Sequence, residues 1–186
     1  MEQQYYLVSS LPMLDLESDP PLSEDEFIDA CADWLPEDAL ERLRSLSLFP
    51  PEDIERGDSA IEKWNVWETR LRNALAVRRV RREGGGGDRA AEKFLRENLD
   101  FFSEIEDGVQ EAFSKPSPLE REDTLDKLRW RFLDDLEAGH PFDFDKLCVY
   151  KLKLLTLAKR ASRDAEAGEK NLETALAPSD LVPIGE

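Results

Sequence analysis

Residues 147–157 read LCVYKLKLLTL, and this stretch decides the fold class. Apolar side chains cover most of the circumference of a helix built on it, namely Leu147, Cys148, Val149, Tyr150, Leu152, Leu154, Leu155 and Leu157. A helix that is apolar on so many sides is typical of a central position in a helical protein. We expect its lysines to lay their stems along the core and to hold their ammonium groups in solvent.

Helix-start signals recur along the rest of the chain. Ser23 with Glu26, and Ser59 with Glu62, have the spacing of capping boxes, in which each side chain bonds the other residue's backbone N–H. Further signals are Pro36 as a first helical residue, Pro50-Pro51 as a helix end, Asp88 as a cap, and Ser117, Pro118 and Glu120 as a cap, a first-turn proline and a box glutamate. Strand signals are nearly absent, so the sequence predicts an all-α protein of about six helices in a bundle.

Apolar spacing agrees with the helical period. The third helix has a stripe of Ile61, Trp64, Trp67 or Glu68, Leu71 and Leu75, and the fourth has Ala91, Leu95, Phe102, Ile105, Val109 and Ala112. Aromatic residues predicted to lie in the core are Trp64, Trp67, Phe94, Phe101 and Phe102. Each of these helices is therefore expected to bury one face.

The sequence predicts a single helical domain over residues 1–177, with a flexible tail at 178–186. The run Gly84 to Gly87 cannot hold a helix against its backbone entropy and is expected to form a hinge between two helices. A phosphate-binding loop would need a preceding strand and a lysine, which this context lacks. The N-terminal apolar segment is either a short helix with Tyr5, Val8 and Leu11 on one side or an exposed strand, and periodicity leaves both open.

No catalytic, cofactor-binding or metal site is predicted. The single histidine, His140, follows a helix-ending glycine, where a turn or capping role is common, and no nucleophile motif accompanies it. Cys31 and Cys148 are far apart and lie in apolar helical patterns, which indicates buried structural thiols. Carboxylates such as Asp143 and Asp145 are ordinary in so acidic a chain.

Charge is the most unusual property of the chain, which carries a net charge of -17 over 186 residues. This balance argues against nucleic acid as a partner. No stretch approaches the length of a membrane span or has the pattern of a signal peptide, so we expect a cytoplasmic protein without direct membrane insertion. Two segments are basic nonetheless, with seven basic and two acidic residues at 59–82 and six basic and no acidic residues at 146–163.

Two interpretations of the basic residues are open: they face acidic segments of the same chain or solvent, or they bind an acidic partner. Arg78, Arg79, Arg81 and Arg82 lie at about 0°, 100°, 300° and 40° around a helix and so encircle its end. The helix dipole favours positive charge at that end. It does not account for four arginines in five positions, so we predict these four residues as a partner-binding site.

The opening YYLVSSLPMLDLESDPPLSEDEF, residues 5–27, resembles a bacterial family of uncharacterised proteins whose genes lie beside those of V-type (A/V-type) ATPase subunits. Members are similar in a Tyr-Tyr-Leu-Val-x-Ser-Leu-Pro opening, in the acidic proline-containing loop after it, and in a following helix with a phenylalanine like Phe27. The resemblance covers about 25 residues, and no sharp motif extends it into the rest of the chain.

The resemblance implies a non-catalytic subunit or assembly factor of a bacterial V-type ATPase. Its partners would be stalk or ring subunits, and its role would be related to the C subunit, called d in eukaryotes, an all-helical socket between rotor stalk and membrane ring. This chain is shorter than a typical C subunit and shows no threefold repeat. Two alternatives remain open: a small helical enzyme that uses carboxylates and His140, and a self-assembling helical scaffold unrelated to the ATPase.

Overall fold

The computed structural model describes residues 2–82 and 102–163, with side chains from residue 5 onward. All regular secondary structure in these ranges is helical, which confirms the predicted all-α class. The seven helices are α1 (Glu2–Ser10), α2 (Glu24–Ala32), α3 (Glu37–Ser45), α4 (Ala60–Arg82), α5 (Ser103–Ser114), α6 (Pro118–Glu137) and α7 (Phe144–Ala161). Several predicted features lie outside the described residues, namely the hinge at 84–87, the cap Asp88, the core residues Phe94 and Phe101, and the tail at 178–186.

Helix α7 is the central element, as predicted. It contacts α1, α2, α3, α4 and α6, while α5 packs on α4 and α6. Its apolar residues from Leu147 to Leu157 are buried, apart from the half-buried Leu155. One apolar cluster draws residues from all seven helices, so these helices share a single core.

The prediction that the lysines of this helix hold their ammonium groups in solvent is wrong for Lys151. This residue is fully buried, and its Nζ donates to the carbonyls of Leu43 and Arg44 at 2.8 and 2.9 Å. It also pairs with Glu24 at 2.8 Å. A buried ammonium group needs such partners, because leaving it unpaired would cost several kcal/mol. Lys151 therefore ties α7 to the C-terminal end of α3 and to the start of α2.

Capping accounts for several of the helix starts. Ser23 and Glu26 form the predicted reciprocal box, and Ser59 and Glu62 form the second one. Ser117 accepts the backbone N–H of Glu120, with Pro118 at the first helical position, as predicted. These motifs are local, so the sequence contains all that is needed to identify them.

Three predicted boundaries are wrong. Pro36 is the N-cap of α3, one residue before the helix, because its backbone is extended at ψ 155°. Helix α3 ends at Ser45, well before Pro50-Pro51, since Leu46 is extended and Lys151 binds the last carbonyls. The fourth predicted helix does not run through Phe102, which is extended at φ -118° and precedes α5.

The N-terminal segment, left open by periodicity, is the helix α1. Its buried residue is Leu7, at 1% exposure, whereas Val8 and Leu11 are half-buried and Tyr5 is largely exposed. The predicted face of Tyr5, Val8 and Leu11 is thus displaced around the helix.

The core stripe of α4 matches the prediction, with Trp64, Trp67, Glu68, Leu71 and Leu75 buried and Ile61 at the edge.

Candidate functional site

The two basic segments have different surroundings in the fold. All six basic residues of 146–163 pair with groups of the same chain: Lys146 with Glu137, Lys151 with Glu24, Lys153 with Asp134 and Glu137, Lys159 with Glu122 and Asp126, Arg160 with Asp123, and Arg163 with Asp126. Most of these acids lie on α6, which faces α7. The basic charge of α7 is therefore compensated within the chain.

The four arginines predicted as a partner-binding site lie at the C-terminal end of α4, and all four side chains are exposed. Arg79 and Arg82 line one groove, between α4, α5 and α6, with a volume of about 430 Å³. Arg78 and Arg81 line a second and smaller groove of about 190 Å³, between α4 and α5. The encircling arrangement thus divides into two pairs, each with the three-residue spacing that places side chains on one face.

We name the larger of these two the arginine groove. Its floor is apolar, since Leu75, Ala112 and Leu125 are buried and Phe113 is half-buried. Its remaining described lining residues are Arg79, Arg82, Pro118, Arg121 and Glu122. Arginine side chains around an apolar floor can bind a carboxylate-bearing segment that also buries an apolar side chain.

Arg121 is held at this groove by backbone groups. Its Nε donates to the Lys115 carbonyl at 3.1 Å, and its guanidinium carbon lies 5.9 Å from the centre of the Phe113 ring. The guanidinium carbon of Arg78 lies 5.9 Å from the same ring. Phe113 therefore has two cations within the range of cation–π attraction.

Glu122 contributes an acid to the groove but is engaged elsewhere. Burial by itself would raise the pKa of Glu122, but Lys159 and Arg163 outweigh that effect and leave the pKa below its ordinary value. Its carboxylate is therefore ionised at neutral pH and directed at α7, 3.1 Å from Lys159.

Within residues 5–82 and 102–163, neither Arg79 nor Arg82 forms an ion pair.

A second surface carries the residues of the opening. We name it the aromatic surface: Tyr5, Tyr6, Met13 and Phe142, whose exposures range from 41% for Phe142 to 92% for Met13. The rings of Tyr5 and Phe142 are in contact, with centroids 4.6 Å apart. Beside them lies a groove of about 280 Å³ between α1, the loop after it and α7. Exposed aromatic and methionine side chains of this kind are enriched at protein interfaces.

The polar groups of the 280 Å³ groove beside the aromatic surface bond to other groups of the protein. Tyr150 donates its hydroxyl to the Pro12 carbonyl at 2.9 Å, and burial raises the pKa of Tyr150 to about 12. Lys146 and Lys153 both pair with Glu137. The groove is thus lined by satisfied polar groups and apolar side chains, an arrangement that suits binding through shape and apolar contact.

His140 has the turn role that its position predicted. Its Nδ1 lies 2.7 Å from Asp143 Oδ2, while Asp143 Oδ1 accepts the Lys146 N–H at the start of α7. Cys31 and Cys148 are buried and unpaired with each other, in agreement with the structural role predicted for them. Burial raises the pKa of Cys31 to about 12 and also raises that of Cys148, which makes both thiols poor nucleophiles at neutral pH.

The sequence predicts the arginines of α4 as a binding site but gives no indication of their neighbours in the groove. Phe113 and Arg121 lie on other helices, and no spacing rule links them to residues 78–82.

No protein-family model, curated protein or solved structure was found to match the chain. None of the helices in the described ranges has a stretch apolar and long enough to span a lipid bilayer. The resemblance of the opening to the ATPase-linked family therefore stays a prediction.

Proposed function

We propose that this protein is a non-catalytic subunit or assembly factor of a bacterial V-type ATPase, acting at the cytoplasmic face of the membrane by binding stalk or ring subunits. The observation that carries the proposal is the aromatic surface. The Tyr-Tyr pair that bears the family resemblance is directed outward, with Tyr5 48% and Tyr6 64% exposed. A conspicuous aromatic pair placed outside the core is suited to contact with another protein.

The aromatic surface is also fixed in position. Leu7 anchors α1 in the core, and the Tyr150 hydroxyl holds the chain at Pro12. Ordering a surface before binding reduces the entropy that association costs, so rigid aromatic side chains make efficient contacts. A coupling role between a stalk and a ring, like that of the C subunit, requires surfaces that transmit position in this way.

The contacts of the polar residues favour an adaptor over the enzyme alternative. An enzyme site needs a nucleophile or base with groups converging on a reacting atom. His140 instead pairs with the cap residue Asp143, and the lysines and glutamate of the aromatic-surface groove pair with one another. These contacts support binding as the function of both surfaces.

The proposal is tested by measuring binding to purified stalk and ring subunits of the V-type ATPase from the same host, at low salt. We expect micromolar or tighter binding to at least one subunit. Tyr6→Ser should weaken it by about tenfold or more, as expected for an exposed aromatic at an interface. Leu119→Ser, a change at an apolar residue that is 51% exposed on α6 and outside the aromatic surface, is the matched control and should bind normally.

The arginines are tested in the same assay. Reversal of Arg78, Arg79, Arg81 and Arg82 to glutamate should slow association and flatten its salt dependence, because charge steers the encounter. Absence of binding to every stalk and ring subunit would show that the ATPase proposal is wrong. Equal binding by the reversed variant would reject the arginine assignment alone.

A further inference from the structure

We propose that the arginine groove is a docking site for an acidic segment of a partner protein, one that places an apolar side chain between its carboxylates. This inference deepens the proposed function and rests on it for the existence of a partner. It adds the chemistry of the segment recognised and the residues from α5 and α6 that take part. Its test uses no ATPase subunit, so the two proposals can fail separately.

Charge is the first support for an acidic occupant. Arg79, Arg82 and Arg121 lie around one groove, and Glu122 is ionised but paired with Lys159 of α7 and with Arg163 just after that helix. The positive charge at this site therefore has no equivalent compensation among the described residues, in contrast to the fully paired basic residues of 146–163. In a chain of net charge -17 such a local positive site attracts carboxylates and leaves the rest of the surface repelling them.

The floor of the groove specifies the second part of the ligand. The half-buried Phe113 ring and the exposed Pro118 keep apolar surface open to a ligand, above Leu75 and Leu125, which are buried at 7% and 3% exposure. An apolar side chain that covers this floor gains about 25 cal/mol for each Å² it removes from water. A ligand of carboxylates alone would leave that surface wet.

Arg121 holds its guanidinium in a fixed place in the groove and so determines where a carboxylate of the ligand binds. Its Nε and one terminal nitrogen donate to the carbonyls of Lys115 and Pro116 at 3.1 and 3.5 Å. Those bonds orient the guanidinium beside the Phe113 ring without neutralising its charge. A carboxylate docking here meets a cation already in place, which lowers the entropy lost on binding.

The apolar floor also favours a protein segment over a nucleic acid as the ligand of the groove. A phosphodiester chain satisfies the arginines but offers no aliphatic side chain to Phe113 and Pro118, and the net charge of -17 repels a long polyanion. A second copy of this acidic chain is the remaining alternative occupant. It would make the arginine groove a self-association surface, which the test below distinguishes.

The experiment measures binding of three fluorescein-labelled peptides to the full chain by anisotropy. The first is a short glutamate-rich peptide with a central Leu-Phe pair, the second has Ser-Ser in place of Leu-Phe, and the third has lysine in place of glutamate. We expect micromolar binding of the first peptide. The second and third should each bind about tenfold more weakly or worse, since one lacks the apolar contact and the other the charge.

The protein variants locate the site. Arg79→Glu with Arg82→Glu should weaken the first peptide by about tenfold or more and reduce the salt dependence of its binding. Lys63→Glu with Arg131→Glu is the matched control, because it makes the same charge change at two exposed residues outside the groove. The control should bind within about twofold of the wild-type chain at moderate salt, where charges more than about 10 Å away are screened. Circular dichroism and urea unfolding verify that both variants are folded.

Four outcomes would overturn the inference: no binding of the first peptide, equal binding of the first two peptides, equal loss in the groove and control variants, or self-association of the wild-type chain that the groove variant abolishes. The last, seen by analytical ultracentrifugation, would assign the groove to a second copy. Peptide binding without ATPase binding would leave this inference standing and reject the proposed function.

Discussion

Two carboxylates, Glu68 of α4 and Asp126 of α6, are buried in the core around one arginine. Both have 0% exposure, and Arg129 lies between them. Its guanidinium makes two bonds to Glu68, at 2.9 and 3.0 Å, and one to Asp126 at 3.2 Å. Burial alone would lower the pKa of Arg129, but Glu68 and Asp126 outweigh it and raise the pKa. The Arg129 guanidinium therefore stays charged in the fold.

Arg129→Met should destabilise the fold by about 3 kcal/mol, because Glu68 loses its bidentate partner and keeps only Arg72, whose Nε lies 2.9 Å from Glu68 Oε1. Urea unfolding at neutral pH measures this loss. Arg131→Met, two positions along the same helix and exposed, is the control and should change the free energy of unfolding by less than about 0.5 kcal/mol. A loss at Arg129 no larger than that of the control would mean that the buried pair is hydrated or neutral.

The capping-box glutamate Glu62 gives a pH dependence of known sign. The hydrogen bonds from Ser59 lower its pKa below the ordinary value of 4.5, so it binds its proton less readily in the folded state than in the unfolded one. Its contribution to stability is therefore complete above the unfolded pKa and is lost as the pH falls through the lower, folded value.

Glu62→Gln should consequently destabilise the chain more at about pH 6 than at about pH 3, where the wild-type carboxylate is protonated as well. Urea midpoints at the two pH values measure the difference. Glu41→Gln, an exposed acid of α3 outside any capping box, is the control and should show a smaller change of midpoint between them. A pH-independent loss at Glu62 would indicate that its charge plays no part.

At the scale of elements, the sequence predicted what is local and missed what is set by distant contacts. The boxes at Ser23 and Ser59 were identified because both partners lie within four residues. The end of α3 was misplaced because its last carbonyls are bound by Lys151, more than 100 residues away. Hydrophobic periodicity likewise carried no sign of the extended backbone at Phe102.

Close contact between α5 and α6 depends on one glycine. A Cβ built on Gly108 would lie 2.5 Å from Cδ2 of Leu128, which is too close for any real contact. Leu128 is buried at 8% exposure, so its side chain cannot simply turn into solvent. Glycine in a helix costs about 1 kcal/mol relative to alanine. At Gly108 the absence of a side chain lets the two helices approach.

Gly108→Ala should lower the free energy of unfolding by about 1–2 kcal/mol, since overpacking exceeds the gain in helix propensity. Gly139→Ala is the control, because a Cβ there meets nothing within 4 Å, and it should be neutral. Adding Leu128→Ala to Gly108→Ala should cost less than the sum of the two single changes, as expected for residues in contact. Strict additivity, measured by urea unfolding, would reject the steric explanation.

At the scale of the whole molecule, the arrangement of α6 and α7 could not be deduced from charge counts. Residues 146–163 and 59–82 are basic to a similar degree in the sequence. In the fold the first segment lies against the acids of α6, 9 to 37 residues away along the chain, while Arg79 and Arg82 project from the end of α4. The sequence could indicate an arginine cluster, but it could not indicate that the competing basic segment is internally paired.

The position of α7 also determines how the molecule opens. Because α7 contacts five other helices, its central residues cannot be exposed without dismantling most of the core. Helix α1 has only nine residues, and few contacts hold it. Leu7 is buried, Val8 packs against the core, Tyr5 contacts Phe142, and Tyr150 binds the Pro12 carbonyl just after the helix. A helix of that length is not stable by itself in water. The two helices should therefore differ in the free energy needed to open them.

Native-state hydrogen exchange measures that difference directly. We expect the amides of Lys151 to Leu154 to exchange only through global unfolding, with a free energy and a urea dependence equal to those of the whole chain. The amides of Leu7 and Val8 should exchange at a lower free energy and with a smaller urea dependence, because detaching α1 exposes little surface. Equal free energies and urea slopes for α1 and α7 would show that α1 belongs to the same cooperative unit.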